Sequence, residues 1–245
     1  MLNLRFWSYC DWRVLYLREH CELHKTRKKN YQVDAVVYDE KYLHIRKMMA
    51  MEITIKNLTP ELLIDYFDFF ENRAFTDESP YRCYCQMYQM SKEQQKEEMD
   101  NFMGDDYGLL AKTIAEKQIK SGMLCGYLAY VDGKAVGWCN ANDRANFPNN
   151  PCCDVLFHSE IPQCEMAVVC FEIAPEYRGK GIDTALLNSV ILGAKEKGFL
   201  SVVGFPVKRS ERYEWDCTGP VRLYEKVGFQ KASEHGDVVI MKKQL

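Results

Sequence analysis

Residues Arg178, Gly179, Lys180, Gly181, Ile182, Asp183 and Thr184 follow directly on an apolar, strand-like run from Ala167 to Ile173 that breaks at Pro175. Two glycines in three positions let the backbone turn sharply and approach a ligand closely. The chain then enters a helix without a gap. The first N–H groups of such a helix have no intrahelical partner, and they lie at the positive end of its dipole. A terminus of this kind accepts anions and suits a pyrophosphate. Arg178 and Lys180 add formal positive charge at the same place. The junction is therefore built to hold a phosphorylated cofactor. Two other phosphate-binding patterns are excluded: the chain has no G-x-x-x-x-G-K-[ST], and no G-x-G-x-x-G follows a strand.

A second stretch, Gly219 to Phe229, reads as a short helix leading into a strand, with Tyr224 four residues before the Gly228-Phe229 pair. Together, in this order, the two stretches resemble the GNAT superfamily of acyl-CoA-dependent N-acetyltransferases. Its signature, Q/R-x-x-G-x-G/A, falls on Arg178, Gly181 and Asp183. The resemblance covers roughly residues 51–245 and leaves 1–50 as an extension of uncertain status. It implies an α/β fold: a single domain with a mixed, mostly antiparallel central sheet, flanked by helices and splayed at the cofactor strand. It also implies acetyl-CoA as cosubstrate and a primary amine as acceptor. Backbone groups at Phe171, Glu172 and Ile173 would meet the pantetheine arm, and the turn from Arg178 to Thr184 would meet the pyrophosphate. Tyr224 would be the acid that protonates the departing thiolate.

Asp183 departs from the signature, which ends on Gly or Ala. At ~5 Å and an effective dielectric near 20, two unit charges repel by roughly 3 kcal/mol. That repulsion weakens cofactor binding if the carboxylate faces the phosphates. It vanishes if the side chain turns to solvent or caps the helix.

Transfer of an acetyl group from a thioester to an amine needs an acid for the thiolate and a base for the amine. A phenol, with an unperturbed pKa near ~10, still holds its proton at neutral pH and has one to give. Tyr224 would fill this role by family position, and a core tyrosine is the alternative. For the base, strand alternation puts Glu165, Ala167, Val169, Phe171 and Ile173 on one face and Met166, Val168, Cys170, Glu172 and Ala174 on the other. Glu172 interrupts an apolar face beside the cofactor strand and is the leading candidate. Glu165 reads as a strand-end residue reaching water, and Asp154, His158 and Glu160 are weaker candidates. Cys170 and Cys217 raise an acyl-cysteine route, with ordinary packing as the expected alternative.

The remaining elements follow from local signals. Residues 51–56 form a strand, and Thr59 caps a helix opened by Pro60, with Leu62, Leu63, Tyr66, Phe67 and Phe70 on one face. Ser91 and Gln94 make a capping box for a helix to about Phe102, and a further helix covers Tyr107 to Lys120. Strands at 124–131 and 134–140 meet at Asp132-Gly133. A long irregular loop covers 143–163, the cofactor helix ends at Gly198, and strands follow at 201–207, 229–233 and 238–243.

With 245 residues and a formal net charge of −3, the chain supports one sizeable core and shows no basic footprint for nucleic acid. No run of eighteen apolar residues appears, so no membrane span is expected. The N-terminus lacks the layout of a secretory signal, and the clustered Met48, Met49 and Met51 raise an upstream start as one explanation of the extension. Eleven cysteines at irregular spacing read as free thiols of a reducing, cytoplasmic setting rather than a disulfide framework. Cys83, Cys85, Cys152, Cys153, His158 and Cys164 do not match paired C-x-x-C ligand spacing, so no metal is expected. Tyr81 to Tyr88 either lines the acceptor side or packs in the core. A small-molecule or protein amine remains open as acceptor, as does a homodimer, and a non-catalytic acyl-CoA-binding module is the rival reading.

Overall fold

The computed structural model describes residues 51–77, 83–104, 106–148, 164–208 and 217–245. The expected extension at 1–50 lies outside them. The chain forms seven strands, of which β2 to β5 are buried on both faces: β1 (Thr54–Asn57), β2 (Gly126–Val131), β3 (Lys134–Asp143), β4 (Glu165–Ile173), β5 (Ser201–Gly204), β6 (Gln230–His235) and β7 (Val238–Gln244). They form one sheet in the order β1-β2-β3-β4-β5-β7-β6. Only β4 and β5 pair in parallel; the other pairs are antiparallel. The expected mixed, mostly antiparallel sheet flanked by helices is thus present. Asp132 and Gly133 join β2 to β3 with φ of +50° and +75°, the positive pair that a two-residue hairpin turn requires.

The β4–β5 pairing runs only from Glu165–Ser201 to Val168–Gly204. Beyond it β4 stays paired with β3 as far as Gly137–Ile173, so the sheet opens on the β5 side of residues 169–173. β5 is shorter than the expected 201–207, and a single isolated bridge, Val207–Val238, lies past its end.

Five α-helices accompany the sheet among the described residues: α1 (Leu63–Asn72), α2 (Lys92–Asn101), α3 (Tyr107–Lys120), α4 (Ile182–Glu196) and α5 (Val221–Lys226). A 3-10 turn at Pro60–Leu62 precedes α1, and the Thr59 side chain makes no cap bond, contrary to expectation. The buried face of α1 is Tyr66, Phe67, Phe69 and Phe70, whereas Leu62 and Leu63 are only half-buried because the 3-10 turn changes their phase. The Ser91–Gln94 capping box is complete. Helix α4 buries Ile182, Leu186, Leu187, Val190, Ile191 and Ala194, each larger side chain contributing about 1.5–3 kcal/mol.

Two faces of β4 receive different partners. Cys170 faces the 83–90 segment, where the Cys85 Sγ lies 3.0 Å from its own. Phe171 packs edge-on against Tyr224 of α5, with ring centroids 6.5 Å apart. Tyr66 meets Trp138 of β3 in a T-shaped contact at 5.0 Å, and both rings are fully buried.

Glu165 corrects a sequence expectation. It does not reach water but is 1% exposed. Its carboxylate accepts from Arg144 at 2.7 Å and Ser201 Oγ at 3.1 Å, and it pairs with Lys242 at 2.6 Å. The cluster ties together β4, β5, β7 and the turn after β3. Burial pushes the Glu165 carboxyl up, but Lys242 and Arg144 outweigh it and hold the group below its usual value of 4.5. Glu165→Gln is expected to cost about 2–3 kcal/mol, below the usual range for breaking a buried pair because Lys242 can reach water. The urea midpoint measures this. Since the folded pKa is depressed, the ionic contribution is complete above pH 4.5. It is lost as pH falls through the folded value, so the gap between wild type and variant should close in acid.

Candidate active site

The start of α4 is shaped by Gly179 and Gly181, with φ of +72° and +84°. A side chain at either position is strained, yet an added Cβ would meet nothing within 4 Å. The glycines therefore answer to backbone conformation, and they leave open space in front of the helix start. Ile182 is buried and packs where Gly137 leaves room, since a Cβ on Gly137 would come within 2.7 Å of Ile182 Cγ2.

The charges at this junction differ from the simple sequence picture. The Arg178 Nε–H donates to the Ile173 carbonyl at 3.0 Å. Its guanidinium pairs with Asp77 and, at 3.5 Å, with Glu172. Arg178 thus braces the turn against β4 and shares its charge with two carboxylates. Lys180 Nζ stands 5.1 Å from the centre of the Tyr177 ring. Asp183 is half-buried, and its Oδ1 accepts from the Thr184 N–H at 2.7 Å and the Thr184 hydroxyl at 3.3 Å. This carboxylate thus binds an N–H within the first turn of α4. Lys226 Nζ approaches the same Thr184 hydroxyl at 3.5 Å.

In the opened part of the sheet, the Phe171 N–H donates to the Cys217 carbonyl at 2.6 Å. Besides its ladder to β3, the Phe171–Ile173 stretch thus has the Phe171 N–H and the Ile173 C=O bound within the chain. The Glu172 side chain is 16% exposed. Glu165 sits at the other end of β4, and its three partners separate it from this chemistry.

Tyr224 closes the site from α5. It is fully buried, and its hydroxyl donates to the Thr218 carbonyl at 2.8 Å. Burial, followed by the neighbouring Cys139, Cys217 and Cys170 thiols, raises its phenol well above the usual 10. The ring needs Gly204, where a Cβ would fall 2.1 Å from Tyr224 Cε1. Nothing in the sequence singles out Gly204 or Asp77; only contact across the fold distinguishes them.

The described part of the Tyr81–Tyr88 stretch is bound to α1, β3 and the 217 segment. Tyr66 donates to the Tyr84 carbonyl at 2.6 Å, Asn140 donates to the Cys85 carbonyl at 3.1 Å, and Tyr88 Oη lies 3.1 Å from Cys217 Sγ. A register shift between Asn140 and Ala141 falls at the same place. Tyr81, Cys152, Cys153, Asp154, His158 and Glu160 lie outside the described residues. Among the described residues, no group of three or more His, Cys, Asp or Glu side chains is arranged to hold a metal ion. None of their helices is long and apolar enough to cross a membrane.

Residues 124–231, from the approach to β2 into β6, match the family model described as an acetyltransferase (GNAT) domain. The match spans that segment, somewhat less than half of the chain. Among solved structures it is similar to the PaiA N-acetyltransferase from Thermoplasma acidophilum in complex with coenzyme A. There the identity is 17%, the coverage 80% of this chain and 100% of that one, and the TM-score 0.45. The aminoglycoside acetyltransferase AAC(6')-Ib in complex with coenzyme A gives 14% identity, 79% and 95% coverage, and a TM-score of 0.49. The ribosomal-protein-S5-alanine acetyltransferase from Vibrio fischeri gives 12%, 80% and 95%, and 0.49. No curated protein matches.

Proposed function

We propose that this chain is an acetyl-CoA-dependent N-acetyltransferase that passes the acetyl group directly to a primary amine within a ternary complex. The observation that supports this reading most is the opening of the sheet beside β4, flanked by the glycine turn into α4 and by Tyr224. In this reading the pyrophosphate of the cosubstrate lies against the Gly179–Thr184 turn. The residues fit that group in part: both glycines leave open space, while Asp183 brings a carboxylate to the same helix start. The pantetheine arm follows β4 at Phe171, Glu172 and Ile173, exchanging contacts with the 217 segment.

The amine nitrogen bonds to the thioester carbonyl carbon, and the carbon–sulfur bond breaks. Glu172, positioned by Arg178, first takes one proton from the ammonium to free the attacking amine, and the second nitrogen proton, lost as the amide forms, restores the phenol of Tyr224. Tyr224 gives its proton to the departing thiolate by turning its hydroxyl away from the Thr218 carbonyl. The raised phenol pKa keeps that proton in place beforehand, and the same raised value makes the donation depend on the sulfur's position as the charge develops. All seven cysteines among the described residues are unbridged, which suits a reducing, cytoplasmic setting.

The test is thiol release from acetyl-CoA across a library of small-molecule and peptide amines, run beside calorimetry with coenzyme A. Amine-dependent release supports the proposal. Tight coenzyme A binding without release for any amine would favour a non-catalytic acyl-CoA-binding module.

Asp183 supplies a separate prediction. Asp183→Gly removes the carboxylate and frees the Thr184 N–H for the cosubstrate. Coenzyme A affinity is expected to rise by about five- to thirtyfold, or 1–2 kcal/mol, less than the unscreened repulsion because water and salt intervene. Calorimetry should show the gain shrinking at high salt. Unchanged affinity would mean that the carboxylate does not compete with the phosphates.

A further inference from the structure

Cys85 and Cys170 come from distant parts of the chain, yet their sulfurs are 3.0 Å apart in the interior. Their residues are 3% and 2% exposed. Cys85 adopts φ +54°, the left-handed region that residues other than glycine seldom occupy. Asn140, at a register shift of the sheet, donates to the Cys85 carbonyl, and Gln89 donates to Asn140 at 3.0 Å. The surrounding network thus holds this unusual backbone in place. Hydrogen bonds from Cys170 and then Cys83 stabilise the Cys85 thiolate, bringing it to about 6 against the opposition of burial. Cys170 is shifted the opposite way, chiefly by Cys217 and then by Cys85 itself. One sulfur is set up as a nucleophile and its neighbour as a protonated thiol.

We infer that Cys85 and Cys170 form a peroxide-sensitive dithiol, whose disulfide would fasten the 83–90 segment to the middle of β4. The Cys85 thiolate attacks one oxygen of a hydroperoxide, forming an S–O bond as the O–O bond breaks. The displaced oxygen takes a proton and leaves as water or an alcohol. The Cys170 sulfur then attacks Cys85, forming the S–S bond and breaking the S–O bond, and its proton leaves with the oxygen as water. Two thiols lose two electrons and the peroxide gains two. Closing from 3.0 Å to a bond of about 2.05 Å needs a shift of only about an ångström between the sulfurs. Oxidation reaches this buried pair through local opening of the 83–90 segment.

The test treats the full-length, reduced protein with hydrogen peroxide, alkylates the remaining thiols and maps peptides by mass spectrometry without reduction. The expected product has lost the mass of two hydrogens, carries Cys85 and Cys170 in one crosslinked peptide, and returns to the starting mass with dithiothreitol. Cys170→Ser should leave oxidised Cys85 to be captured by a sulfenic-acid trap, and Cys85→Ser should form no bridge to Cys170. Alkylatable Cys85 and Cys170 after peroxide, or a wild-type bridge between other cysteines, would overturn the inference. The wild-type peptide map decides this even if a variant fails to fold.

Discussion

Tyr224→Phe is expected to lower kcat by about ten- to ten-thousandfold, the span associated with losing a general acid. The variant keeps the ring that packs against Phe171 and Phe229 and fills the space left by Gly204. It removes the hydroxyl and its bond to the Thr218 carbonyl, at a stability cost of about 1 kcal/mol. Coenzyme A affinity by calorimetry should hardly change, so the loss should appear in the chemical step rather than in binding. Single-turnover measurements with an accepted amine make that separation. Because burial holds the phenol well above 10, wild-type kcat should show no decline attributable to Tyr224 as pH rises toward that value. Full activity of the Phe variant would leave Tyr224 a packing residue alone.

Gly181→Val should reduce coenzyme A affinity by about a thousandfold or more, equivalent to ~4 kcal/mol. The valine side chain would enter the open space before α4, where the proposed pyrophosphate meets the first N–H groups. It would also strain a backbone at φ +84°, a conformation that costs L-residues about 1–2 kcal/mol. No neighbouring atom lies within 4 Å of the added Cβ, so the fold should survive with a modestly lower melting temperature. Calorimetry measures the affinity and thermal unfolding checks the fold. Unchanged affinity would remove the turn from the proposed cosubstrate site.

The elements set by neighbours along the chain are legible in the residues themselves. Ser91 and Gln94 cap each other within one turn, and Asp132-Gly133 supplies the conformations of its own hairpin. Gly179 and Gly181 define a turn that the following helix completes. The helix Tyr107 to Lys120 is bounded by immediate neighbours, the Asp106 cap and the positive-φ Gly122. Such signals act over a few residues, so the sequence alone determines them. The short β5 is not legible in this way, because strand length depends on which partner runs beside it.

Only the tertiary structure decided what the charged and reactive side chains do. Arg178 reads as a cation for phosphate, yet it braces β4 and pairs with Asp77, 101 residues away. Glu165 reads as a solvent-facing strand end, yet β5, β7 and the turn after β3 bring it Ser201, Lys242 and Arg144. Nothing in the sequence pairs Cys85 with Cys170 until the sheet and the 83–90 segment bring their sulfurs into contact. The physical reason is one of range. Backbone conformation answers to adjacent residues, whereas the partners of a buried charge or thiol come from whichever distant segments pack around it.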